Sequence, residues 1–290
     1  MENADSVQAQ GVGNLAAHRE KAVAFRKLHQ AGRILVLPNA WDAPSARIFQ
    51  DEGFPAIATT SAGIAALFGY ADGQRVPGRL MLEMVRRIAA SVTVPVTADL
   101  EAGYGHTVEQ VANTVSAAIG LGLVGANIED STRRTDKPLA EIPYQVEVIK
   151  AIRQVAEAAG VAFVLNARVD VYLHGNNDEG ARFTEAVHRA NKYREAGADC
   201  LFPIGVKEPG IIGRLVREIG GPINVLVGPG SPTIAELQQL GVARASFGSG
   251  LMRGTLPLVR NMARDLFKFG HSPVLAQTDF THAVVNQLFT

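Results

Sequence analysis

The chain has 290 residues, of which 47% are hydrophobic and 19% charged, so it is long enough to bury one large α/β core. Lysine plus arginine and aspartate plus glutamate both number 28, so the formal net charge is zero. That balance, with no basic run, argues against a nucleic-acid partner. The single cysteine excludes an internal disulfide. No apolar stretch is long enough to span a bilayer, and the N-terminal residues do not resemble a signal peptide. We therefore expect a cytoplasmic protein without a membrane partner.

The predicted elements follow one another in a repeating order. Residues 1–14 are expected to be a flexible tail and residues 15–31 a helix. From residue 34 onwards, apolar runs alternate with turns and amphipathic helices. The runs that we predict to be strands are 34–40, 56–62, 94–101, 125–130, 162–170, 200–205, 223–228 and 244–250. Nearly continuous apolar runs indicate parallel strands that are buried on both faces.

Eight such strand–helix units predict that residues 15–290 form a single domain, a (β/α)₈ TIM barrel. An open, doubly wound sheet is the alternative, but no GxGxxG fingerprint follows the first strand. Residues 271–290 are predicted to add a C-terminal helix whose apolar end, AVVNQLF, needs a partner surface. The sequence therefore predicts an α/β homo-oligomer with extra helices at both ends.

Acidic residues follow two neighbouring predicted strands, at the barrel edge where active sites of this fold lie. Asp99 and Glu101 are two residues apart, so strand alternation would point both side chains the same way, and Glu129 ends the next strand. Each acid alone is typical of a helix cap. Three carboxylates on adjacent strands repel one another unless a cation lies among them, and hard oxygen ligands suit Mg²⁺, with Mn²⁺ as a substitute.

Other polar residues at the predicted strand ends are candidates for substrate binding. Arg168 ends an otherwise apolar run, so it must pair either with the acids or with an anionic substrate group. Asn39 ends the first run. A turn of small residues has backbone N–H groups that could hold a carboxylate, although small residues also suit tight packing; these are Thr60, Ser61, Ala62 and Gly63. Tyr104 and His106 lie on the loop after Asp99 and Glu101. They are candidates for proton donors, or they are solvated loop residues.

Four stretches of the chain, taken in order, resemble the isocitrate lyase/phosphoenolpyruvate mutase superfamily. They are LPNAWDAPSARIFQDEGFPAIATTSAGIAALFGYADG, VTADLEAGYGHT, GANIED and LNARVD. The resemblance implies a modified barrel in which a Mg²⁺-bound pyruvate enolate forms when a C–C or P–C bond breaks. Together with the apolar C-terminal end, it also implies a homo-oligomer, a tetramer built from two dimers whose subunits exchange a C-terminal helix. Four side chains are then assigned to the metal, Asp99 directly, Glu101 and Glu129 through water, and Asp72 by ordering the waters. Arg168 would bind the substrate carboxylate, and the Thr60–Ala62 backbone its oxygens.

The chain departs from parts of this superfamily in the loop after the fourth strand. Isocitrate and methylisocitrate lyases carry Lys-x-Cys-Gly-His there, whereas this chain reads STRRTDKPLAE. The mutases place a lysine and an asparagine on that loop, and only Lys137 is present here. What remains resembles the cysteine-free branch, which includes oxaloacetate decarboxylase-like and carboxyphosphonoenolpyruvate phosphonomutase-like members. We therefore predict a lyase or decarboxylase acting on a small 2-oxo or 2-hydroxy (di)carboxylate.

In this prediction Arg168, Tyr104 and Lys137 are the catalytic side chains, and residues 131–140 form a mobile lid. The lid would bring Arg133 or Lys137 to a second substrate carboxylate. Alternatives are a P–C bond mutase or hydrolase acting on a phosphonopyruvate-like substrate, and a non-catalytic barrel that binds a 2-oxo acid. Glycine loops at 228–230 and 248–250 would suit a phosphate or a flavin, and Lys207 would suit Schiff-base chemistry.

Overall fold

The computed structural model describes residues 15–175 and 178–290, so the tail predicted at residues 1–14 lies outside it. The strands are β1 (Leu35–Leu37), β2 (Asn39–Ala40), β3 (Ile57–Thr59), β4 (Val96–Asp99), β5 (Gly125–Glu129), β6 (Val164–Val169), β7 (Cys200–Pro203), β8 (Asn224–Leu226) and β9 (Arg244–Ser246). The helices are α1 (Leu15–Leu28), α2 (Ala43–Asp51), α3 (Ser61–Leu67), α4 (Gly78–Ser91), α5 (Val108–Gly120), α6 (Ile142–Ala159), α7 (Val171–His174), α8 (Glu179–Glu195), α9 (Pro209–Glu218), α10 (Ile234–Gln239), α11 (Gly250–Phe269), α12 (Pro273–Gln277) and α13 (His282–Gln287). Strands and helices alternate along the chain, as the apolar pattern predicts.

The strands pair in parallel in two sheets, so the predicted α/β fold is present but its ladder is not continuous around a closed barrel. The larger sheet has the order β2-β3-β4-β5-β6-β7 and the smaller one β1-β9-β8. The first predicted strand is split because Pro38 has no N–H to donate, so β1 and β2 join different sheets. On the other side, a parallel bridge between Leu201 and Ile223 connects β7 to the segment before β8.

Helix α5 and strand β5 illustrate how the core forms. Thr107 caps α5 by accepting a hydrogen bond from the backbone of Gln110, which starts the helix where the loop ends. The buried side chains of α5 recur at helical spacing and cover the sheet, and all five residues of β5 are buried. This burial on both faces is why β5 reads as a nearly continuous apolar run, interrupted by Asn127, that ends in an acid.

Helices α11–α13, which we call the C-terminal arm, differ from the rest. Within α11 the one buried residue is Met252, and neither α12 nor α13 has a buried residue. Large apolar side chains are exposed instead, with Phe267 at 92% and Phe269 at 66%. Such a surface is typical of a segment that packs on a partner. In the described part of the chain, no helix combines the length and the apolar character needed to cross a membrane.

Candidate active site

The carboxyl ends of β4, β5 and β6 lie side by side, since these strands are neighbours in the larger sheet. Asp99 is in register with Asn127, and Glu129 is in register with Arg168. Asp170 directly follows β6. Strand order and register therefore bring the acids of β4 and β5 and the arginine of β6 to one edge of the sheet.

Asp99 has one carboxylate oxygen held by the protein and one without a partner. Its Oδ2 accepts hydrogen bonds from the Ser61 backbone N–H at 3.1 Å and the Ser61 hydroxyl at 2.7 Å. Its Oδ1 is buried and has no hydrogen-bond partner among the described residues. A buried polar atom without a partner costs free energy, so Oδ1 is a candidate ligand atom.

Glu101 reaches the same edge by a route that the sequence did not predict. Strand β4 ends at Asp99, and Glu101 has φ +50°, so the argument from strand alternation does not apply to it. The side chain is 2% exposed and accepts a hydrogen bond from the Tyr104 hydroxyl at 2.7 Å. Burial raises the pKa of Glu101, an effect that the Tyr104 hydrogen bond opposes. Tyr104 is thus partly buried beside an acid, not solvated.

Arg168 joins two acids. Its Nε and Nη2 donate to the two oxygens of Asp170 at 2.6 and 2.8 Å, and its Nη1 lies 2.6 Å from Glu129 Oε2. Burial raises the pKa of Glu129, and Arg168 opposes that shift. A guanidinium has about five N–H donors, so about two remain for a substrate carboxylate.

Arg133 is a site residue that the sequence placed only on the lid. Its Nη2 lies 2.8 Å from Glu101 Oε2 and also donates to Glu129 Oε1. Together Asp99, Glu101, Glu129, Arg133 and Arg168 form what we call the site cluster. Arg133 follows Glu129 by four residues, a spacing that puts the two within reach, but it does not say that the side chain turns inward.

Asp72 and Lys137 lie at the margin of the site cluster. Asp72 is exposed and accepts from the Gly73 backbone at 2.9 Å, and its charge contributes to the raised pKa of Glu101. Lys137 is exposed and pairs with Glu141 at 2.8 Å. It lines a cavity of about 530 Å³ together with Glu129 and Arg133. Lys137 therefore lines the same cavity as Glu129, and its ion pair is with Glu141.

The segment Thr60–Gly63 is not the open turn that the sequence predicts. Helix α3 begins at Ser61, and Thr60 caps it by accepting from the Gly63 backbone at 3.3 Å. The Thr60 N–H donates to the Ala40 carbonyl and the Ser61 N–H to Asp99, so three of these four N–H groups are already used. Only the Ala62 N–H of the predicted set is left for a substrate oxygen. Small residues allow this tight turn into the helix.

Two other candidates have partners that point to structural roles. The Asn39 side chain donates to the Thr59 carbonyl at 2.8 Å and accepts from the backbones of Phe247 and Gly248, so it ties neighbouring strands together. Exposed Lys207 donates to the Pro229 carbonyl at 2.8 Å. Both side chains are engaged by backbone groups of the fold.

Behind the site cluster lies a second buried group, Asp130, Arg189 and Tyr193, which we call the support cluster. Asp130 Oδ1 accepts from the Asp170 backbone at 2.9 Å, and Oδ2 accepts from Arg189 at 3.1 Å and from Tyr193 at 2.8 Å. Arg189 also donates to the Ala140 carbonyl at the end of the lid. The support cluster thus connects β5, β6, α8 and the lid.

One carboxylate oxygen of the site cluster is available to a magnesium ion that keeps part of its water shell. Within residues 15–175 and 178–290, no three His, Cys, Asp or Glu side chains are close enough to hold an ion together. The predicted convergence of three carboxylates is therefore not present, since Arg133 binds both Glu101 and Glu129. Asp99 Oδ1 remains as a free, hard ligand. Mg²⁺ typically binds one or two carboxylates and retains several waters.

The family of the chain follows from its sequence as a whole. Residues 25–267 match the phosphoenolpyruvate phosphomutase family. The chain therefore belongs to this family, within the phosphoenolpyruvate mutase/isocitrate lyase superfamily of enzymes that act on small carboxylates. The superfamily resemblance predicted from the four sequence stretches is confirmed.

Individual relatives differ in what is known of them. The chain is 37% identical over 227 residues to an uncharacterized protein of Mycobacterium tuberculosis (78% of this chain, 82% of the relative). It is 29% identical over 233 residues both to 2-methylisocitrate lyase of Escherichia coli (77% of this chain and 77% of the relative) and to oxaloacetate decarboxylase of Pseudomonas putida (78% and 76%). The more similar relative thus has no assigned reaction.

Solved structures agree with the fold. A Burkholderia cenocepacia protein described provisionally as a lyase/mutase superposes with a TM-score of 0.87 at 36% identity, over 94% of this chain and 97% of that one. Phosphonopyruvate hydrolase in complex with oxalate and Mg²⁺ superposes with a TM-score of 0.83 at 25% identity, over 92% and 94%. That relative thus has Mg²⁺ and a small carboxylate bound on the same fold.

Proposed function

We propose that the chain is a Mg²⁺-dependent carbon–carbon lyase that acts on a small 2-oxo or 2-hydroxy dicarboxylate, with decarboxylation as the favoured reaction. The observation that carries this proposal is the free Oδ1 of Asp99, buried beside Glu101, Glu129 and Arg168. If every charged group of the site cluster were fully paired within the protein, no atom would be left to bind an ion or a substrate. The site cluster leaves a carboxylate oxygen and guanidinium N–H groups for an ion and an anionic substrate.

Each side chain has a proposed role in the reaction. Asp99 would hold the ion through Oδ1, while Glu101, Glu129 and Asp72 would position its waters. When bound there, such an ion would supply Lewis-acid stabilisation of the negative charge that develops as the C–C bond breaks. The free N–H groups of Arg168 and the backbone around Ala62 orient the substrate carboxylate and keto oxygen, and Tyr104, bonded to Glu101, relays a proton.

Decarboxylation is favoured because the lid has no cysteine or histidine to act as the acid in a retro-aldol cleavage. Residues 131–140 contain neither cysteine nor histidine, and Lys137 at the cavity wall is suited to hold a second carboxylate. Loss of CO₂ needs stabilised charge and a site from which water is excluded, with no dedicated acid in the first step. Oxaloacetate, a 2-oxo dicarboxylate, satisfies these conditions.

A substrate panel tests the proposal. Oxaloacetate, methylisocitrate, dimethylmalate and phosphonopyruvate are incubated with Mg²⁺ and the protein, with Asp99→Asn as the blank, and pyruvate is measured. We expect pyruvate with CO₂ from oxaloacetate and little from methylisocitrate. Pyruvate with inorganic phosphate from phosphonopyruvate would assign P–C cleavage instead. Robust methylisocitrate cleavage would refute the argument from the lid. No turnover of any substrate would favour a non-catalytic binding protein.

We also propose that the C-terminal arm packs on a second copy of the chain, in a dimer or tetramer. The exposed Phe267 and Phe269 support this, because apolar side chains of that size are normally covered. Light scattering should give a multiple of 30.8 kDa. Replacing both phenylalanines with serine should reduce the mass or cause aggregation, whereas Leu67→Ser, at a site that is 50% exposed outside the arm, should not. A wild-type monomer would refute the proposal.

Two remaining expectations belong to the same proposal. We propose that β1 and β2 act as one strand interrupted at Pro38, and that β7 and β8 complete the ring, so that the strands form a (β/α)₈ barrel. The parallel bridge between Leu201 and Ile223 supports this closure. A cytoplasmic location is proposed as well, supported by the buried free thiol of Cys200.

A further inference from the structure

Arg133 occupies an unusual position for a loop arginine. Its guanidinium pairs with Glu101 and Glu129, whose side chains are 2% and 1% exposed, while its own side chain is 32% exposed. The two glutamates are thus buried, and their shared cationic partner enters from the surface. Removal of Arg133 would deprive two buried carboxylates of their shared cation, which costs free energy.

The rest of the lid does not behave this way. Arg134 pairs with Asp136 at 2.6 Å and Lys137 with Glu141 at 2.8 Å, all four in exposed positions. Arg133 lies in a short turn that is closed by the Thr132 N–H, which donates to the Pro138 carbonyl at 2.9 Å. The turn directs one of the lid's three cationic side chains into the site and leaves the other two outside.

The oxygens that bind this guanidinium are also the ones that would position the waters of an ion, so Arg133 and the ion compete for them. Glu101 Oε2 and Glu129 Oε1 accept from Arg133, and in the proposed function these two acids hold the metal's waters. A divalent ion supplies more charge to the pair than one guanidinium does. Metal loading therefore favours the release of Arg133 into the cavity of about 530 Å³ that it lines.

We propose that Arg133 and the divalent cation bind to Glu101 and Glu129 alternately, so that Arg133 sets the metal affinity and moves the lid when metal binds. This inference rests on the proposed metal site. In the metal-free protein Arg133 neutralises the two acids and holds the lid turn inward. In the loaded protein its guanidinium is free within the cavity and available to a second substrate carboxylate.

Mn²⁺ binding tests the exchange without reference to turnover. Electron paramagnetic resonance titrations compare the wild type, Arg133→Met and the matched control Arg134→Met, whose side chain pairs with the exposed Asp136. We expect Arg133→Met to bind Mn²⁺ about tenfold more tightly than the wild type, a typical size for coupling between two sites. Arg134→Met should stay within about twofold of the wild type.

A second measurement uses the unmodified protein and so does not depend on whether Arg133→Met folds. Amide hydrogen exchange across residues 131–137 should become faster when Mn²⁺ is added, because Arg133 leaves the acids. Slower amide hydrogen exchange in this segment would overturn the proposal that Arg133 and the metal bind alternately. Equal or weaker Mn²⁺ affinity in Arg133→Met would overturn it as well. Either result would leave the metal site itself intact. Mn²⁺ binding in none of the proteins would overturn the metal site itself, and the exchange with it.

Discussion

Two clusters that contain buried acids lie next to each other in this protein, and they differ in how completely the fold satisfies the hydrogen bonds of those acids. In the support cluster both oxygens of Asp130 have partners, from the Asp170 backbone, Arg189 and Tyr193. In the site cluster Asp99 Oδ1 has no partner in the described structure, and Glu101 and Glu129 share a cation from a surface loop. Burial alone therefore does not separate a structural acid from a candidate catalytic one.

The comparison teaches that the completeness of the hydrogen bonds carries the functional signal. Glu129 and Asp130 are adjacent and both are buried, yet Glu129 faces the cavity and Asp130 faces α8. Acids that the fold satisfies should matter for stability and little for metal binding. Acids whose hydrogen bonds the fold leaves incomplete should matter for metal binding and little for stability. The substitutions below test that division.

The largest effect is expected at Asp99. Asp99→Asn keeps the shape of the side chain but removes the charge of the free oxygen. It should lower kcat/KM about a thousandfold, since metal stabilisation is worth several kcal/mol. The control, Asp136→Asn, changes an exposed acid of the lid and should leave kcat/KM as it is. Near-normal activity of Asp99→Asn in steady-state assays would remove Asp99 from the site.

The next largest effect should be on stability, at Arg189. Arg189→Met removes the cation from buried Asp130 and the donor from the Ala140 carbonyl, and should lower the free energy of unfolding by about 3 kcal/mol. Urea unfolding measures this. Lys192→Met, on the same helix but in an exposed pair with Glu195, should leave the midpoint unchanged. Equal midpoints for the two variants would contradict a structural role for the support cluster.

Tyr104→Phe should have a smaller effect on the site cluster. It removes the hydroxyl that donates to Glu101 at 2.7 Å, and loss of a partner behind a ligand typically changes metal affinity or activity about tenfold. Mn²⁺ titration and kcat should both move, while urea unfolding should change little because Tyr104 is only partly buried. If only stability changed, Tyr104 would belong with the support cluster.

The smallest effect is expected at Lys137, at the margin of the site cluster. Lys137→Met should raise KM for a dicarboxylate about fivefold, because a single charged hydrogen bond to the second carboxylate is lost. Lys150→Met is the control, since Lys150 also forms an exposed pair, with Glu147, but lies away from the cavity. The same KM in both variants would exclude a substrate contact for Lys137.

Sequence patterns located the site better than they described it. Asp99, Glu129 and Arg168 could be predicted at one edge because parallel strands end together, and the structure places them there. The inward turn of Arg133 could not be predicted, because the directions of the lid's charged side chains depend on its backbone conformation. Likewise, nothing local indicates that Arg189 bonds to an acid 59 residues away.

The fold shows the same limit. Periodicity located the strand cores, because the apolar runs of β5 and β6 are buried in the structure except at Arg168, which is partly exposed. It did not predict the break at Pro38 or the start of α3 at Ser61, where capping by Thr60 uses up N–H groups that were assigned to a ligand. Local hydrogen bonding, which a pattern of apolar residues does not encode, decided both points.

Metal dependence tests the central claim, that the incomplete site cluster holds a divalent cation for catalysis. The protein is treated with EDTA, freed of the chelator by gel filtration, and assayed for pyruvate release from oxaloacetate before and after Mg²⁺ or Mn²⁺ is added. We predict no release above the uncatalysed rate in the metal-free protein and full recovery with either ion. Undiminished turnover by the metal-free protein would contradict the claim.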